Sequence, residues 1–397
     1  MARNIRLYPW FQFCRGLIFW QGVWFLYFQA ALSPAEAILL YAVYDIATTA
    51  LEVPSGALSD RVGRRPTLIL STLACTVGTG ALALGGDFWI FAAGQVFLGA
   101  GMALVSGTDS ALLYESLKHV DREEEIEHHE LVAWRASFAA LAVSAVAGGA
   151  MALMDPALPY LTTTLAGAVS AFLAFAMVEQ RRGTGQLGMP PISQFRSVRV
   201  ALSKPVLIWL FVLGLAMYVF SHVPFVFGQP FIQEALSATG ADAEAPIISG
   251  TVVAGMMLVS IAVSWAGPGL RDRVGLAALL LFAFAMQIAL CAVLAVSNDV
   301  LVIGVLLLRM VPDALSKAFI VARVQPLLAD EGRATFLSIK SFAGRLILAT
   351  TMIGAAQTAT GETTLSYPEI QSVLTWYAAG GTLTLLALAF SARRASV

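Results

Sequence analysis

Long apolar segments follow one another along almost the whole chain, and the polar residues are concentrated in the short stretches between them. Each segment is about 20 residues long, the length of a helix that crosses the hydrocarbon core of a bilayer. Because no water is available there, a crossing segment must satisfy its backbone as an α-helix. The pattern predicts an all-α membrane protein with twelve spans, at roughly 10–32, 37–58, 67–86, 88–116, 131–153, 157–178, 206–228, 247–266, 276–296, 300–324, 337–359 and 371–391.

The composition excludes an ordinary soluble domain. Charged residues make up 12% of the chain and hydrophobic residues 58%, whereas a soluble domain carries about 25% charged residues. The net charge of −1 does not indicate a partner, and we expect no nucleic-acid partner for a membrane protein of this kind. Cys14, Cys75 and Cys291 lie in apolar segments without the spacing of metal ligands, and we expect no metal and no cofactor.

The loops between the spans differ in the sign of their charge. Those that follow odd-numbered spans contain no Lys or Arg, and their charged residues, such as Glu36, Asp87 and Asp155, are acidic. The basic residues lie in the other loops and in the two terminal segments. Since basic loops remain in the cytoplasm, we expect both termini to be cytoplasmic.

One short charged sequence occurs twice. Residues Asp60–Gly63 (DRVG) follow the second span, and Asp272–Gly275 (DRVG) follow the eighth, which is the second span of the C-terminal half. A repeat at equivalent positions indicates a duplicated six-helix unit. We therefore expect two pseudo-symmetric six-helix bundles, at 1–178 and 206–397, joined by a cytoplasmic linker at 179–205.

The first copy belongs to a longer pattern that resembles the signature loop of the major facilitator superfamily. That signature, Gly-x-Leu-x-Asp-Arg-x-Gly-Arg-Arg, is matched at Gly56, Leu58, Asp60, Arg61, Gly63, Arg64 and Arg65. The segments EVPSGALSDRVGRRP, SGTDSALLYESL and RATFLSIKSFAGR are similar to a bacterial drug-efflux-like branch. The resemblance implies the major facilitator fold and a secondary transporter rather than an enzyme. We expect it to act as a monomer in the bacterial inner membrane.

In this family the signature loop helps to hold the cytoplasmic gate closed, and the resemblance implies the same role here. The two helices must reverse within a few residues, and glycine at Gly56 and Gly63 suits such a reversal. Two acidic residues near the inner end of span four, Asp109 and Glu115, could pair with Arg135 of span five or with the signature loop. Alternatively, the loop only anchors the topology. The residues assigned to the gate are Gly56, Asp60, Arg61, Gly63, Arg64, Arg65, Glu115, Arg135, Asp272 and Arg273.

Ionisable residues inside a membrane span are costly and usually functional. Tyr41, Asp45 and Glu52 lie on one stripe of span two. At 1.5 Å per residue Asp45 is the deeper acid, about 12 Å from the outer surface. A carboxylate partly removed from water can bind and release a proton as its surroundings change. Asp45 is the first candidate for proton coupling, followed by Glu52, Asp109 and Asp313.

Span ten carries Arg309, Asp313 and Lys317 at intervals of four residues. The row either neutralises itself within one helix or presents positive charge to an anionic substrate. Aromatic residues crowd spans one and seven, where those turned inward would line an amphipathic pocket. The substrate-cavity candidates are Trp20, Trp24, Tyr41, Tyr218, His222, Phe225, Arg309 and Lys317.

These features favour a proton-coupled transporter that moves a small molecule across the bilayer by alternating access. Efflux of amphipathic compounds is the first hypothesis, and uptake of a small anion or metabolite is the alternative. An intramembrane enzyme is a remote third, because no nucleophile–base spacing is present. Two departures from the family weaken the case for export: Gln95 replaces the usual arginine of span four, and Gly148-Gly149 lacks the antiporter proline.

Overall fold

A computed structural model describes residues 1–179, 204–324, 327, 330–360 and 364–395, so most of the predicted linker lies outside it. Within these residues no strand occurs, and the all-α prediction is confirmed. The helices are α1 Ala2–Gly16, α2 Trp24–Gln29, α3 Pro34–Val62, α4 Arg64–Leu84, α5 Phe88–Val105, α6 Thr108–Lys118, α7 Ile126–Met154, α8 Leu158–Ala176, α9 Pro205–Ser237, α10 Ala245–Val274, α11 Leu276–Val296, α12 Val311–Ala314, α13 Lys317–Val324, α14 Asp330–Thr358 and α15 Tyr367–Ala395.

Nine described helical segments are long and apolar enough to cross a membrane. They correspond to the predicted spans three to nine, eleven and twelve. The second predicted span is the continuous helix α3, which carries the acids Asp45 and Glu52. The first and tenth are interrupted, as described below. The helices fit the twelve predicted spans.

The chain forms two compact units. The N-unit comprises Met1–Thr184 together with the short segments Ala243–Ala254 and Glu362–Thr364. The C-unit comprises Gly185–Asp242, Gly255–Gly361 and Leu365–Val397.

Polar side chains fix the helix starts that follow two of the acidic loops. Ser33 and Glu36 form a capping box at α3, in which the Ser33 hydroxyl accepts from the Glu36 N–H at 3.3 Å and the Glu36 carboxylate accepts from the Ser33 N–H at 3.0 Å. Asp87 accepts hydrogen bonds from the N–H groups of Trp89 and Ile90 at α5. Such contacts satisfy backbone donors that have no partner in the first turn of a helix.

Small residues allow helices of the N-unit to approach closely. A Cβ on Gly78 would lie 2.8 Å from the carbonyl oxygen of Gly94, so α4 and α5 meet backbone to backbone. Larger side chains pack elsewhere in the unit, where Phe11, Leu68 and Leu112 are buried in one cluster. Close packing through small residues is the usual way in which helices associate in a membrane.

The C-unit is built around the long helix α9, whose aromatic residues pack against α11 and α15. The ring of Phe220 meets those of Phe284 and Tyr377 edge to face, with centroids 5.3 Å and 5.8 Å apart. The indole N–H of Trp209 donates to the carbonyl oxygen of Leu388 at 2.9 Å. This bond ties α9 to the C-terminal part of α15.

Three predicted spans are interrupted rather than continuous. In span one, α1 ends at Gly16 and a 3₁₀ turn, Phe19–Gly22, precedes α2. Span four breaks between α5 and α6 at Gly107, which has φ +73°. Span ten consists of a 3₁₀ helix, Val300–Leu308, followed by the short helices α12 and α13. The apolar pattern predicted the position of these spans correctly and missed their breaks.

Side-chain hydroxyls satisfy backbone groups at the interruption of span one. The N–H of Ile18 donates to Ser144 Oγ, and the N–H of Phe19 donates to Thr163 Oγ1, both at 3.1 Å. A Cβ on Gly148 would collide with the carbonyl of Phe19, so this glycine admits the broken backbone. Since water is absent, a break inside a membrane is tolerated only with such compensation.

The break at Gly107 provides a direct test of the fold. Gly107→Ala should lower the free energy of unfolding by about 1–2 kcal/mol, because a Cβ disfavours the left-handed conformation. Gly269→Ala is the matched control, since Gly269 lies within α10 and a Cβ there meets no atom within 4 Å. That variant should gain about 1 kcal/mol from helix propensity. Thermal unfolding of both variants in detergent decides the matter, and equal stability would contradict the left-handed break.

Candidate functional site

The signature loop is a single-glycine turn. Gly63 ends α3 with φ +112°, and α4 begins at the next residue. The carboxylate of Glu179 accepts hydrogen bonds from the N–H groups of Arg64 and Arg65, at 3.0 Å and 2.6 Å. A carboxylate at a helix N-terminus satisfies exposed donors and complements the helix dipole. Glu179, which the sequence assigned to the linker, therefore caps α4.

Arg64 connects the loop to other helices of the N-unit. Its guanidinium donates to Ser59 Oγ at 2.8 Å and contacts Glu115 Oε1 at 3.4 Å. Thr108 donates in turn to Ser59 Oγ at 3.2 Å. Of the two alternatives predicted for Glu115, the structure shows the contact with the signature loop. The network joins α3, α4 and α6.

Other residues of the predicted gate are placed differently. Gly56 does not form the turn, because it lies within α3, where its Cβ would meet no atom within 4 Å. Arg61 is exposed, and the side chain of Asp60 lies outside the described part of the chain. Arg135 is exposed on α7, and the acids expected to pair with it contact Arg15 and Arg64 instead.

The second copy of the sequence repeats the turn without the network. Gly275 has φ +85°, which matches the conformation of the first copy. Asp272 and Arg273 are exposed, and Asp272 pairs with its neighbour Arg271 at 2.8 Å. The repeated sequence therefore preserves a helix reversal and not a common set of contacts.

A polar network lies where α1 and α6 meet. Helix α1 ends at the break of span one, and α6 begins just after the break of span four. Asp109 accepts from Gln12 Nε2 at 2.7 Å and from Arg15 Nη1 at 3.4 Å. Arg15 also donates to Gln12 Oε1 at 3.0 Å, and Gln12 donates to the hydroxyl of Tyr8 at 3.0 Å. Sequence analysis missed Tyr8 and Gln12. Their spacing of four residues on α1, with Arg15 one turn further, was the available signal.

Asp45 is buried in α3, with 1% of its surface exposed. Tyr41, one turn earlier, is also buried and packs against Trp24 with ring centroids 5.6 Å apart. Trp20 stacks on Tyr160 with centroids 5.9 Å apart. These predicted cavity residues therefore belong to a packed aromatic cluster of the N-unit.

Two residues of the span-ten row, Arg309 and Asp313, are buried in the C-unit, whereas Lys317 is exposed. Lys317 Nζ lies 2.8 Å from Asp313 Oδ2, and the guanidinium of Arg309 lies 5.1 Å from the ring centroid of Phe225. Arg309 and Asp313 are 8% and 7% exposed. The ion pair and the cation–π contact hold the row at the broken part of the span, where α12 and α13 replace a continuous helix.

Two neighbouring side chains complete this cluster. Gln287 Nε2 donates to the carbonyl oxygen of Met217 at 3.2 Å and to Asp313 Oδ1 at 3.4 Å. His222 Nδ1 lies 2.7 Å from the carbonyl oxygen of Tyr218, and the two rings are 4.3 Å apart. Sequence analysis missed Gln287, although a lone amide in the apolar helix α11 was a visible signal.

Comparison with known proteins identifies the family of this chain and solved structures that share its fold. The model of the Major Facilitator Superfamily matches residues 12–346. The tetracycline resistance protein, class C, of Escherichia coli is 29% identical over 169 residues, which cover 41% of this chain and 41% of that protein. The match thus spans about two-fifths of that curated relative.

Solved transporters share the fold across the whole chain. The crystal structure of the nucleoside transporter NupG has a TM-score of 0.76 at 11% identity and covers 98% of each chain. That of the peptide transporter POT in complex with sulfate has a TM-score of 0.75 at 11% identity, with 99% of this chain and 95% of the other covered. At this identity the likeness concerns the fold alone.

The two copies of the turn give a matched test of the Glu179 cap. Gly63→Ala and Gly275→Ala both force a Cβ into positive φ, but only at Gly63 would that Cβ lie near another group, 2.7 Å from Glu179 Oε1. Gly63→Ala should therefore lose about 1–3 kcal/mol more stability, the cost of disturbing buried polar groups. Thermal unfolding measures the difference. When Glu179 is replaced by alanine, Gly63→Ala and Gly275→Ala should lose the same amount of stability. If they already lose the same amount when Glu179 is present, the cap is refuted.

Proposed function

We propose that this chain, which belongs to the Major Facilitator Superfamily, exports a small amphipathic molecule in exchange for protons. The observation that carries the proposal is the coincidence of helix breaks with contacts between oppositely charged side chains. In secondary transporters, substrate and coupling ions bind where membrane helices are discontinuous.

Each unit contains one region in which a helix break lies beside a contact between charged side chains. In the N-unit, the breaks of spans one and four accompany the Arg15–Asp109 contact. In the C-unit, the break of span ten accompanies the Asp313–Lys317 pair. A continuous helix would have served equally well for anchoring in lipid, so the breaks favour binding and movement over a purely structural role.

We assign the proton site to Asp45. A carboxylate that is 1% exposed in a membrane-spanning helix is costly to keep charged. Protonation removes that cost and changes which conformation is preferred. Exchange requires that proton and substrate favour different states, because a ligand with equal affinity for both states shifts neither. Asp109 and Asp313 are the next candidates. Each contacts a basic partner.

The signature loop is assigned to the gate. Its Arg64–Glu115 contact and the Glu179 cap join α4 to α6 and to the segment that follows α8 through charged groups. We assign the gate to the cytoplasmic side, with both termini there, on the basis of the loop charges. The bacterial inner membrane and a monomeric state are part of the same proposal.

The direction of transport and the character of the substrate are proposed from separate observations. The partial likeness to a tetracycline resistance protein favours export. The amphipathic character of the substrate is proposed from the aromatic residues that accompany the charged ones, including Phe225 beside Arg309. Amphipathic molecules are recognised by such combinations of apolar surface with few polar groups.

Uptake of a small anion is the second candidate, favoured by the charge around span ten. His222 lies within electrostatic range of Lys317, Arg309 and Arg345. Lys340 likewise lies within range of Lys317. Basic side chains such as these suit a carboxylate or phosphate group, which accepts charge-assisted hydrogen bonds from them.

Asp45→Asn mimics the protonated carboxyl group permanently. It should reduce accumulation of substrate against a gradient to simple equilibration, while substrate binding survives. Glu52→Gln should have a smaller effect, and Asp242→Asn, which changes an exposed acid, should have none. Uphill flux and substrate-induced proton movement in proteoliposomes provide the readout. Normal uphill flux in Asp45→Asn would move the proton site to Asp109 or Asp313.

Arg309→Ala distinguishes the two candidate substrates. If an anionic group binds Arg309, the folded yield should hold while the apparent KM rises roughly tenfold or more, the value of a hydrogen bond to a charged group. Arg393→Ala, which removes an exposed arginine, is the control. An unchanged KM would exclude the anion, and a loss of folded yield would make the row structural.

A further inference from the structure

A groove runs along the C-unit between α9 and α15. Its first part, a crevice of about 550 Å³ closed on one side by α14, is lined by apolar residues such as Leu215 and Val373. Its second part, about 600 Å³, continues between Pro205 at the start of α9 and Arg394 near the end of α15. Both parts are lined by Val212 and Thr384, so they form one continuous groove.

The groove is open at the surface of the C-unit. On α15, Trp376 in its wall is 76% exposed and Leu383 is 70% exposed. Both residues lie in a helix that crosses the membrane. Because the bilayer core contains no water, an open apolar groove at this depth is in contact with hydrocarbon. Each part has the size of a typical ligand cavity, about 300–1,000 Å³.

The dimensions of the groove match a phospholipid tail. Ten residues separate Thr384 from Arg394 on α15, which at 1.5 Å per residue is about 15 Å. That is roughly half the thickness of the hydrocarbon core. An acyl chain that starts at Arg394 therefore passes along the second part of the groove and reaches its junction with the first.

The charge at one end of the groove matches an anionic headgroup. Arg394 lines the groove there, and its guanidinium lies 5.1 Å from the ring centroid of Phe390. Exposed Arg393 and Lys204 lie beside the same end, on residues that adjoin the lining. Among the described residues that line the groove, none carries a carboxylate. Basic residues at the rim of a crevice between membrane helices are the usual site of an anionic lipid.

We infer that the groove binds one anionic phospholipid, with its phosphate at Arg394 and an acyl chain between α9 and α15. The lipid would fill a cleft that the protein leaves open and would fix the contact between these two helices. The inference rests on membrane insertion alone and does not depend on which solute is transported.

Native mass spectrometry of the purified, delipidated full chain tests the inference with phosphatidylglycerol and phosphatidylcholine as probes. The wild type should retain one phosphatidylglycerol roughly fivefold better than phosphatidylcholine, the preference expected from one basic residue near the headgroup. Arg394→Gln should abolish that preference. Arg323→Gln is the matched control, because Arg323 is exposed and does not line the groove, and it should keep the preference.

A second pair of variants tests the tail. Ala387 lines the groove and Ala379 does not, although both are exposed on α15. Ala387→Phe should reduce retention of both lipids several-fold, while Ala379→Phe should match the wild type. Equal retention of the two lipids by the wild type, or equal behaviour of the paired variants, would overturn the inference. A phosphatidylglycerol preference that excess inorganic phosphate abolishes would assign the site to free phosphate and also overturn it.

Discussion

Backbone polar groups have no partners in the hydrocarbon core of a bilayer, and the rest of this structure depends on that constraint. Continuous helices satisfy it by themselves. Where spans one, four and ten break, side chains must supply the missing partners, as Ser144 and Thr163 do for the amides of Ile18 and Phe19. The break of span one therefore depends on specific residues of neighbouring helices.

Charges in the apolar interior follow the same logic. Asp109 contacts Arg15 and Asp313 contacts Lys317, so these described acids at the breaks each have a basic neighbour. Glu179 satisfies two amides at the start of α4. Each contact is an electrostatic interaction that a change in protonation or a bound solute can weaken. A transporter needs such contacts, because it must favour two conformations under different conditions.

The sequence predicted the spans well, since twenty apolar residues in a bilayer leave few alternatives to a helix. It also placed a glycine turn at Gly63, and it gave the signature loop as one of two alternative partners for Glu115. It could not predict that Glu179 caps α4, because 115 residues separate Arg64 from Glu179 along the chain. Gly56 was misassigned to the turn, since the pattern of the loop does not reveal where α3 ends. The breaks were missed because hydropathy is the same for a continuous and an interrupted apolar segment.

The central proposal is that a proton gradient drives a small molecule through this protein. It is tested most directly by uphill accumulation in proteoliposomes that contain this chain alone, using a compound selected because cells expressing the chain resist it. With an imposed pH gradient the compound should accumulate above its outside concentration, and a protonophore should return it to equilibrium. Equal concentrations on both sides while the gradient persists would contradict the account.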